Sequence, residues 1–168
     1  MQPRSMLEKL ILYFVYQTKG HITRTQLVKF LYLADLYSVK WTDKKLTDLD
    51  WYYYNHGPWH EDIDAALAGL SGQVVQTKQG QATLLQMGSE PLDLSSLEIS
   101  QGLHFMLDNI RREWVGGSPE AQGKVDKLLE YVYSTAPMLA VKDKHERSEK
   151  VRLNLALERE LLLEELGV

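Results

Sequence analysis

The sequence predicts a mainly helical α+β fold with one small β element, formed by a single domain over residues 1–168. Apolar residues recur at helical spacing in several segments, whereas residues 49–55 and 73–87 favour strands. No long polar or low-complexity tract interrupts this pattern, and no internal repeat is visible. A chain of 168 residues also has the usual size for one hydrophobic core. We therefore expect one domain.

The N-terminal part of the chain predicts two helices. Gly20 suits the turn after the first helix. Thr23 and Gln26 have the spacing of a capping box, which predicts the start of the second helix, and this helix is expected to end near Val39. The apolar face of the first helix consists of Leu7, Leu10, Ile11, Phe14 and Val15.

The next segment predicts a short strand and a third helix. The aromatic run at 49–55 favours a strand, and the Gly57-Pro58 pair after it is expected to interrupt any regular element. Residues 60–70 then predict a helix with three acids in its first turn, where carboxylates suit the helix dipole.

A hairpin is predicted after the third helix. Its strands are expected at 73–79 and 81–87, with the turn near Gly80. The order helix, helix, strand, helix, hairpin gives the N-terminal half a winged-helix-like arrangement. Because the third helix and the wing of such proteins often meet DNA, a DNA-binding regulator is one alternative function.

Three further helices are predicted in the C-terminal half. Ser95 and Glu98 have capping-box spacing ahead of the first, and the Ser-Pro-Glu run at 118–120 predicts the start of the second, which ends before Pro137. The third spans about 143–166 and is apolar on several sides. We expect it to be wrapped by the domain or shared with a partner, including a second copy of the chain.

Charge and composition restrict the classes of function. The absence of cysteine excludes disulfides, thiolate metal sites and cysteine nucleophiles. Residues 1–40 carry a net +4 and residues 41–70 a net −4, so these segments are expected to attract each other rather than to form one basic face. The acidic third helix makes nucleic acid an unfavourable partner. No segment has the length of a membrane span or the form of a signal peptide, which favours the cytoplasm.

One cluster of titratable residues is considered for metal binding or hydrolysis. His56 and His60 are four residues apart, with Glu61 beside them as a further ligand or acid. Gly57 and Pro58 lie between the histidines, so His56 is expected to precede the helix that contains His60. We therefore predict no metal site. No phosphate-binding loop motif occurs either, and the sequence predicts no cofactor and no enzymatic activity.

The aromatic cluster around the predicted strand favours protein binding. In a strand, Trp51 and Tyr53 share one face while Tyr52 and Tyr54 share the other, so one set is expected in the core and the other at the surface. Exposed tryptophan and tyrosine are strong anchors for protein partners. The residues predicted to contact a partner are Trp51, Tyr53, His56 and Trp59.

The segment from Lys29 to Asp62 resembles the Panacea domain, also called the SocA-like antitoxin domain. The similarity covers about residues 10–70, and Gly57-Pro58 is similar to the G-P motif of that family. The positions similar to the family's K-x-L-Y-x-A-D helix are Lys29, Leu31, Tyr32, Ala34 and Asp35.

This resemblance implies a mainly helical fold with a small β element and an antitoxin function without catalysis. The expected partner is a cognate protein toxin, encoded by an adjacent gene and neutralised by direct binding. Some members of the family are similar to adaptors that present a toxin to a protease, and others occur in phage-associated proteins. A proteolytic adaptor or a phage-associated interaction protein is therefore a further alternative.

Overall fold

A computed structural model describes residues 4–54, 57–90, 92–114, 125–141 and 150–167. Within these ranges the chain is mainly helical and carries two small antiparallel sheets, so the predicted α+β class is confirmed. None of the helices in these ranges is long and apolar enough to cross a membrane.

The elements follow the predicted winged-helix-like order in the N-terminal half, with additional short strands. In chain order they are α1 (Met6–Gln17), β1 (Ile22–Thr23), α2 (Arg24–Thr42), β2 (Tyr52–Tyr54), β3 (Gly57–Trp59), α3 (Glu61–Gly69), β4 (Val74–Gln79), β5 (Ala82–Met87), a 3-10 helix (Leu94–Leu97), α4 (Gln101–Trp114), α5 (Val125–Tyr133), α6 (Ala136–Val141), β6 (Val151–Arg152) and α7 (Ala156–Leu166).

Helix α2 lies at the centre of the core. It contacts α1, α4, α5 and α7, and its residues are buried on almost every side, as expected for a helix surrounded by other elements. The predicted capping box is confirmed, because Thr23 Oγ1 accepts from Gln26 N and the Gln26 side chain accepts from Thr23 N. The helix continues to Thr42, beyond the expected end near Val39.

The predicted hairpin is confirmed and gains a third strand. Gln79 pairs with Ala82 across a turn in which Gly80 has a φ of +63°, a backbone conformation that glycine adopts without strain. Strand β1 pairs with β5 through Ile22 and Leu85, which gives the sheet order β1-β5-β4. Sequence periodicity did not predict β1 because two residues are too short to show alternation.

The expectation that Gly57-Pro58 interrupts any regular element was wrong. Both residues belong to β3, which pairs antiparallel with β2, so that Tyr53 lies opposite Pro58 and Tyr54 opposite Gly57. The sheet order is β3-β2-β6, which makes β3 an edge strand. A proline is tolerated at an edge because the missing N–H can face away from the ladder.

The start of α4 also differs from the prediction. Ser95 and Glu98 do not form its capping box: they lie in and after the 3-10 helix, which Asp93 caps, and Glu98 ends that helix with a positive φ. The cap of α4 is Ser100, whose Oγ accepts from Leu103 N at 3.2 Å. Asp93 and Ser100 are also good capping residues, so local spacing alone selected the wrong pair.

The prediction of one long helix over about 143–166 was wrong in its first part. Residues 142–149 lie outside the described ranges, β6 follows them, and only α7 is helical. Leu153 N donates to Trp51 O at 2.8 Å, which extends the pairing of β6 with β2. The apolar residues Val151, Leu153 and Leu155 alternate with polar ones, a strand pattern that merges with the leucines of α7.

The remaining C-terminal predictions are confirmed in part. The Ser-Pro-Glu run at 118–120 lies outside the described residues. The described part of the helix that follows ends at Tyr133, before Pro137 as predicted. Pro137 then lies in the first turn of α6, a position where proline is favoured.

Two substitutions in α2 test which side of this helix supports the fold. Leu31 is 0% exposed, so Leu31→Ala should lower the free energy of unfolding by about 2–5 kcal/mol through cavity formation. Trp41 is 63% exposed, so Trp41→Ala should change it by about 0.5 kcal/mol or less. Urea denaturation followed by circular dichroism measures both. Equal losses would contradict the position of Leu31 in a packed core.

Candidate partner-binding site

A buried carboxylate fixes the geometry of the site. Asp35 is 0% exposed on α2 and accepts four hydrogen bonds from the segment that follows the helix. Its Oδ1 accepts from Leu46 N at 2.8 Å and Thr47 N at 3.0 Å. Its Oδ2 accepts from Thr47 Oγ1 and from Trp51 Nε1, the latter at 2.9 Å. We name these contacts the Asp35 junction.

The Asp35 junction continues into a second buried network. The Trp51 ring packs edge-on against Tyr32 with ring centres 5.6 Å apart. The Tyr32 hydroxyl hydrogen-bonds Thr135 Oγ1 at 2.8 Å, and burial raises the pKa of Tyr32. Tyr32 and Asp35 therefore hold α2, β2 and the start of α6 together, which gives these two motif residues a structural role.

This geometry corrects the prediction for Trp51. The side chain was expected to contact a partner, but it is 1% exposed and its one polar atom is bound by Asp35. Leu31 and Ala34 of the helix motif are also fully buried. The tryptophan at position 51 therefore serves core packing.

The predicted alternation along β2 is confirmed. Trp51 and Tyr53 pack towards the core, whereas Tyr52 and Tyr54 lie on the opposite side of the sheet with Trp59 of β3. All three side chains on that side are half-buried, and the rings of Tyr54 and Trp59 have centres 5.3 Å apart. We name Tyr52, Tyr54 and Trp59 the aromatic face.

A cation covers part of the aromatic face. Lys150 Nζ lies 4.9 Å from the centre of the Trp59 ring and 5.6 Å from that of Tyr54, within the range of a cation–π interaction. Lys150 precedes β6, the strand that the long-helix prediction missed. Sequence spacing gave no signal for this contact, because the three residues come from separate strands and a loop.

A cavity of about 350 Å³ adjoins the aromatic face between α2 and β3. Two basic side chains line it, and no Asp or Glu does so among the described residues. We name it the basic pocket. Its lining residues are Arg24, Thr25, Val28, Lys29, Tyr54, Gly57, Pro58 and Trp59.

Lys29 is the most buried charged group in the basic pocket. It is 8% exposed, and its Nζ lies only 2.8 Å from the position that a Cβ on residue 57 would occupy. Gly57 therefore leaves space for the Lys29 ammonium, and this contact joins the lysine of the helix motif to the glycine of the G-P motif. Any larger residue at position 57 would have to displace Lys29 Nζ.

Burial strongly perturbs Lys29. Loss of solvation lowers the pKa of its ammonium to about 8, and the nearby charge of Arg24 lowers it further to a smaller extent. Arg24 has a partner of its own, since its Nε donates to Asp64 Oδ1 at 2.8 Å. This pair joins the basic and acidic segments as predicted. Among the described residues, no acceptor lies within hydrogen-bonding distance of Lys29 Nζ.

The two histidines considered for chemistry have different outcomes. His56 lies outside the described residues. His60 is the N-cap of α3, where its Nδ1 accepts from Asp62 N at 3.0 Å. Glu61 is exposed beside it, and within the described residues no group of three or more His, Asp and Glu side chains could hold a metal ion. The structure thus gives His60 a capping role.

A separate aromatic groove lies between α2, α4 and α5. Trp41 is exposed at its edge, the rings of Trp114 and Tyr131 have centres 5.4 Å apart, and Tyr37 Oη donates to Tyr131 Oη at 2.8 Å. The groove has a volume of about 500 Å³. The aromatic run at 51–54 does not contribute to its lining.

The fold and the site define a mainly helical α+β domain, in which a buried aspartate on the central helix positions an aromatic strand pair. Residues 27–94 match the family model described as Antitoxin SocA-like, Panacea domain. The predicted resemblance is confirmed, but its extent differs from the expected residues 10–70: the match begins at residue 27 and extends beyond residue 70 to include the β4–β5 hairpin. It supports a role of the antitoxin family. No curated protein and no solved structure gave a significant match.

Removing the charge of Asp35 tests the structural role of the Asp35 junction. Asp35→Asn places an amide N–H₂ group against donors, so at least one buried N–H or O–H loses its acceptor. We expect the free energy of unfolding to fall by about 2–4 kcal/mol. Asp48→Asn, at an exposed position of the same loop, is the control and should be nearly neutral. Urea denaturation measures both, and a neutral Asp35→Asn would contradict this role.

Because Lys29 is buried, replacing it with an uncharged residue should stabilise the protein, by an amount that depends on pH. The unfolded chain holds this proton up to the ordinary lysine pKa of 10.5, whereas the folded chain loses it near pH 8. The stability of the native protein therefore rises with pH between these values, and the charged form destabilises the fold below pH 8. Lys29→Met should raise the free energy of unfolding at pH 7, by up to roughly 3 kcal/mol.

Unfolding curves at pH 7 and pH 9.5 give the difference in the free energy of unfolding between variant and parent. The contributions of the other titrating groups cancel in this difference. The gain from Lys29→Met should be larger at pH 7. Lys44→Met removes an exposed ammonium and should show no such gain. A loss of stability in Lys29→Met at pH 7 would contradict the assignment of an ammonium that destabilises the fold.

Proposed function

We propose that this protein is an antitoxin that neutralises a cognate protein toxin by direct contact. The observation that carries the proposal is the match of residues 27–94 to the SocA-like Panacea family. The matched segment contains most of α2 together with β2, β3, α3 and the hairpin. It therefore includes the whole aromatic face and the basic pocket except Arg24 and Thr25. The toxin is expected to be encoded by the adjacent gene, and both proteins are expected to act in the cytoplasm.

The aromatic face is the best candidate for the toxin contact. Tyr and Trp are enriched among the residues that dominate protein interfaces, and Tyr54 and Trp59 are half-buried in a preformed arrangement. Preorganised side chains lose less conformational entropy on binding. Trp59 remains a predicted contact residue and Tyr54 joins it, whereas Tyr53 packs towards the core and is not part of this face. His56 stays a sequence-based prediction.

The proposed action is binding rather than catalysis. His60, the described histidine closest in sequence to the aromatic face, caps α3 through Nδ1. The buried carboxylate of Asp35 is saturated with hydrogen bonds inside the core and holds the loop in place. These groups have structural partners that support an interaction protein. A role as a proteolytic adaptor would use the same toxin contact.

Co-expression with the product of the adjacent gene tests the antitoxin function. Cells that express the neighbouring protein alone should stop growing, and co-expression of this protein should restore growth. Pull-down of the two proteins should recover a complex. If the neighbour is harmless alone, or if its toxicity is unchanged in the presence of this protein, the antitoxin proposal fails.

Single substitutions test the position of the toxin contact. Trp59→Ala should weaken toxin binding roughly 30-fold or more, as expected for the loss of a central aromatic anchor. Trp41→Ala removes an exposed tryptophan of the separate groove and should change binding roughly threefold or less. Isothermal titration calorimetry measures both, with circular dichroism to confirm folding. The opposite result would move the contact to the groove between α2, α4 and α5.

A DNA-binding regulator is the second candidate, favoured by the sheet order β1-β5-β4 beside three N-terminal helices. The charge of α3 opposes it, because Glu61, Asp62 and Asp64 are exposed and Arg24 already pairs with Asp64. Phosphate contacts require basic residues at the surface that meets the duplex. Gel-shift assays with the promoter DNA at low salt should show no sequence-preferring complex, and a specific complex would establish DNA binding.

A further inference from the structure

We infer that the basic pocket is a receptor for one carboxylate of the partner protein, with the Lys29 ammonium as its counter-ion. This inference rests on the proposed function and specifies its chemistry: an acidic side chain of the toxin, or its terminal carboxylate, enters the pocket beside the aromatic face. Three observations carry it, namely the burial of Lys29, the composition of the pocket wall and the contact between Lys29 and Gly57.

A buried ammonium normally has an anionic or hydrogen-bonding partner, since it would otherwise lose its solvation without compensation. Lys29 is 8% exposed, yet the described part of the chain offers its Nζ no acceptor within hydrogen-bonding distance. The ammonium nevertheless lines an open cavity, so a ligand can reach it. The missing partner can therefore come from another molecule.

The wall of the basic pocket selects for a negative charge. Arg24 is the second cation of the lining, and Lys150 lies over the rings of Tyr54 and Trp59 at the adjoining face. The carboxylate that approaches Arg24 is Asp64, which is half exposed and lies outside the lining. A guanidinium has five N–H donors, so Arg24 can keep Asp64 and still donate to a ligand.

The same wall favours a carboxylate on a protein chain over a free phosphate. Most of the pocket surface is polar, but Val28, Pro58 and Trp59 give it one apolar and aromatic side, and Lys29 supplies one buried charge. A doubly charged phosphate is usually held by several backbone amides or by guanidinium forks. A carboxylate carries a single charge on an apolar stem, which the side of the pocket formed by Val28, Pro58 and Trp59 can cover.

The position of Gly57 indicates that space for this ammonium is built into the fold. Its Cα lies so close to Lys29 that an added Cβ would come within 2.8 Å of Nζ and 3.5 Å of Cε. Gly57 also pairs with Tyr54 in the β2–β3 ladder, so the ammonium and the aromatic face are fixed to the same edge strand. A partner that packs on Trp59 would place a neighbouring acidic residue at Lys29.

The titration of Lys29 supports a pH-dependent contact. Burial lowers the pKa of the free ammonium to about 8. In the described part of the chain, the charged or titratable groups that line the pocket or adjoin its lining are Arg24, Asp64, Tyr54 and Lys150. A carboxylate binds the protonated form, so partner affinity should fall as pH rises above 8. This fall is limited to about tenfold for each pH unit, because one proton is involved.

The first test measures the affinity of the co-expressed toxin by calorimetry at pH 7. Lys29→Met should weaken binding roughly 30-fold or more, whereas the exposed control Lys44→Met should remain within roughly threefold of the parent. Gly57→Ala should also weaken binding by displacing the ammonium. Asp-to-Asn or Glu-to-Gln changes in the toxin should identify the carboxylate that binds Lys29. Removing that carboxylate should weaken binding to the parent protein but cause little further loss of affinity for Lys29→Met.

The second test needs no toxin. Sodium acetate and inorganic phosphate are titrated into the purified protein while nuclear magnetic resonance follows the Cε–Hε signal of Lys29. Acetate should shift this signal at millimolar concentration, and phosphate should do so more weakly. Lys29→Met locates the signal by its absence, and the Lys44 signal serves as the control. A preference for phosphate, or no shift with either anion, would overturn the carboxylate assignment.

The two tests separate the possible failures. If growth rescue fails while acetate still shifts the Lys29 signal, the antitoxin proposal falls and the carboxylate specificity of the pocket stands. If rescue succeeds but Lys29→Met binds the toxin as tightly as the parent, the antitoxin function stands and the receptor role of Lys29 is overturned.

Discussion

The hydrogen bonding of the Asp35 carboxylate is the constraint on which the rest of the structure depends. A carboxylate at 0% exposure is stable only when its oxygens accept hydrogen bonds. Four donors from the 46–51 segment provide these bonds to Asp35. These bonds fix where the chain leaves α2 and re-enters as β2. Trp51 is thereby held in the core, and its carbonyl accepts from Leu153 to align β6. The aromatic face and the basic pocket follow from this placement.

The helix motif of α2 combines two physical roles in one element. Leu31, Tyr32, Ala34 and Asp35 are buried and stabilise the fold through packing and hydrogen bonds. Lys29 is buried as well, but its charge opposes folding because the ammonium loses solvation without a described partner. A residue that destabilises its own fold beside a preformed aromatic surface is characteristic of a binding site. The same helix therefore supports the core at one position and carries the lysine of the proposed recognition site at another.

Features predicted correctly from the sequence are those set by local interactions. The capping box of Thr23 and Gln26, the turn at Gly80 and the alternation of Tyr53 and Tyr54 each depend on residues close in the chain. Features that depend on distant pairing were missed. Strand β3 was excluded because the sequence does not show that Pro58 lies at a sheet edge, and β6 was taken as helix because its partner β2 is about 100 residues away.

The sequence alone determined the mainly helical α+β class, the central helix, the resemblance to the Panacea domain and the absence of cysteine chemistry, because periodicity, caps and motif spacing are properties of neighbouring residues. Only the tertiary structure decided that Trp51 is an internal hydrogen-bond donor and that Lys29 meets Gly57 beside Trp59. Burial and charge pairing depend on which distant segments come into contact. A pattern in one segment cannot specify these contacts. In this protein the contacts between distant segments determine which residues are buried in the core and which stay accessible to a partner.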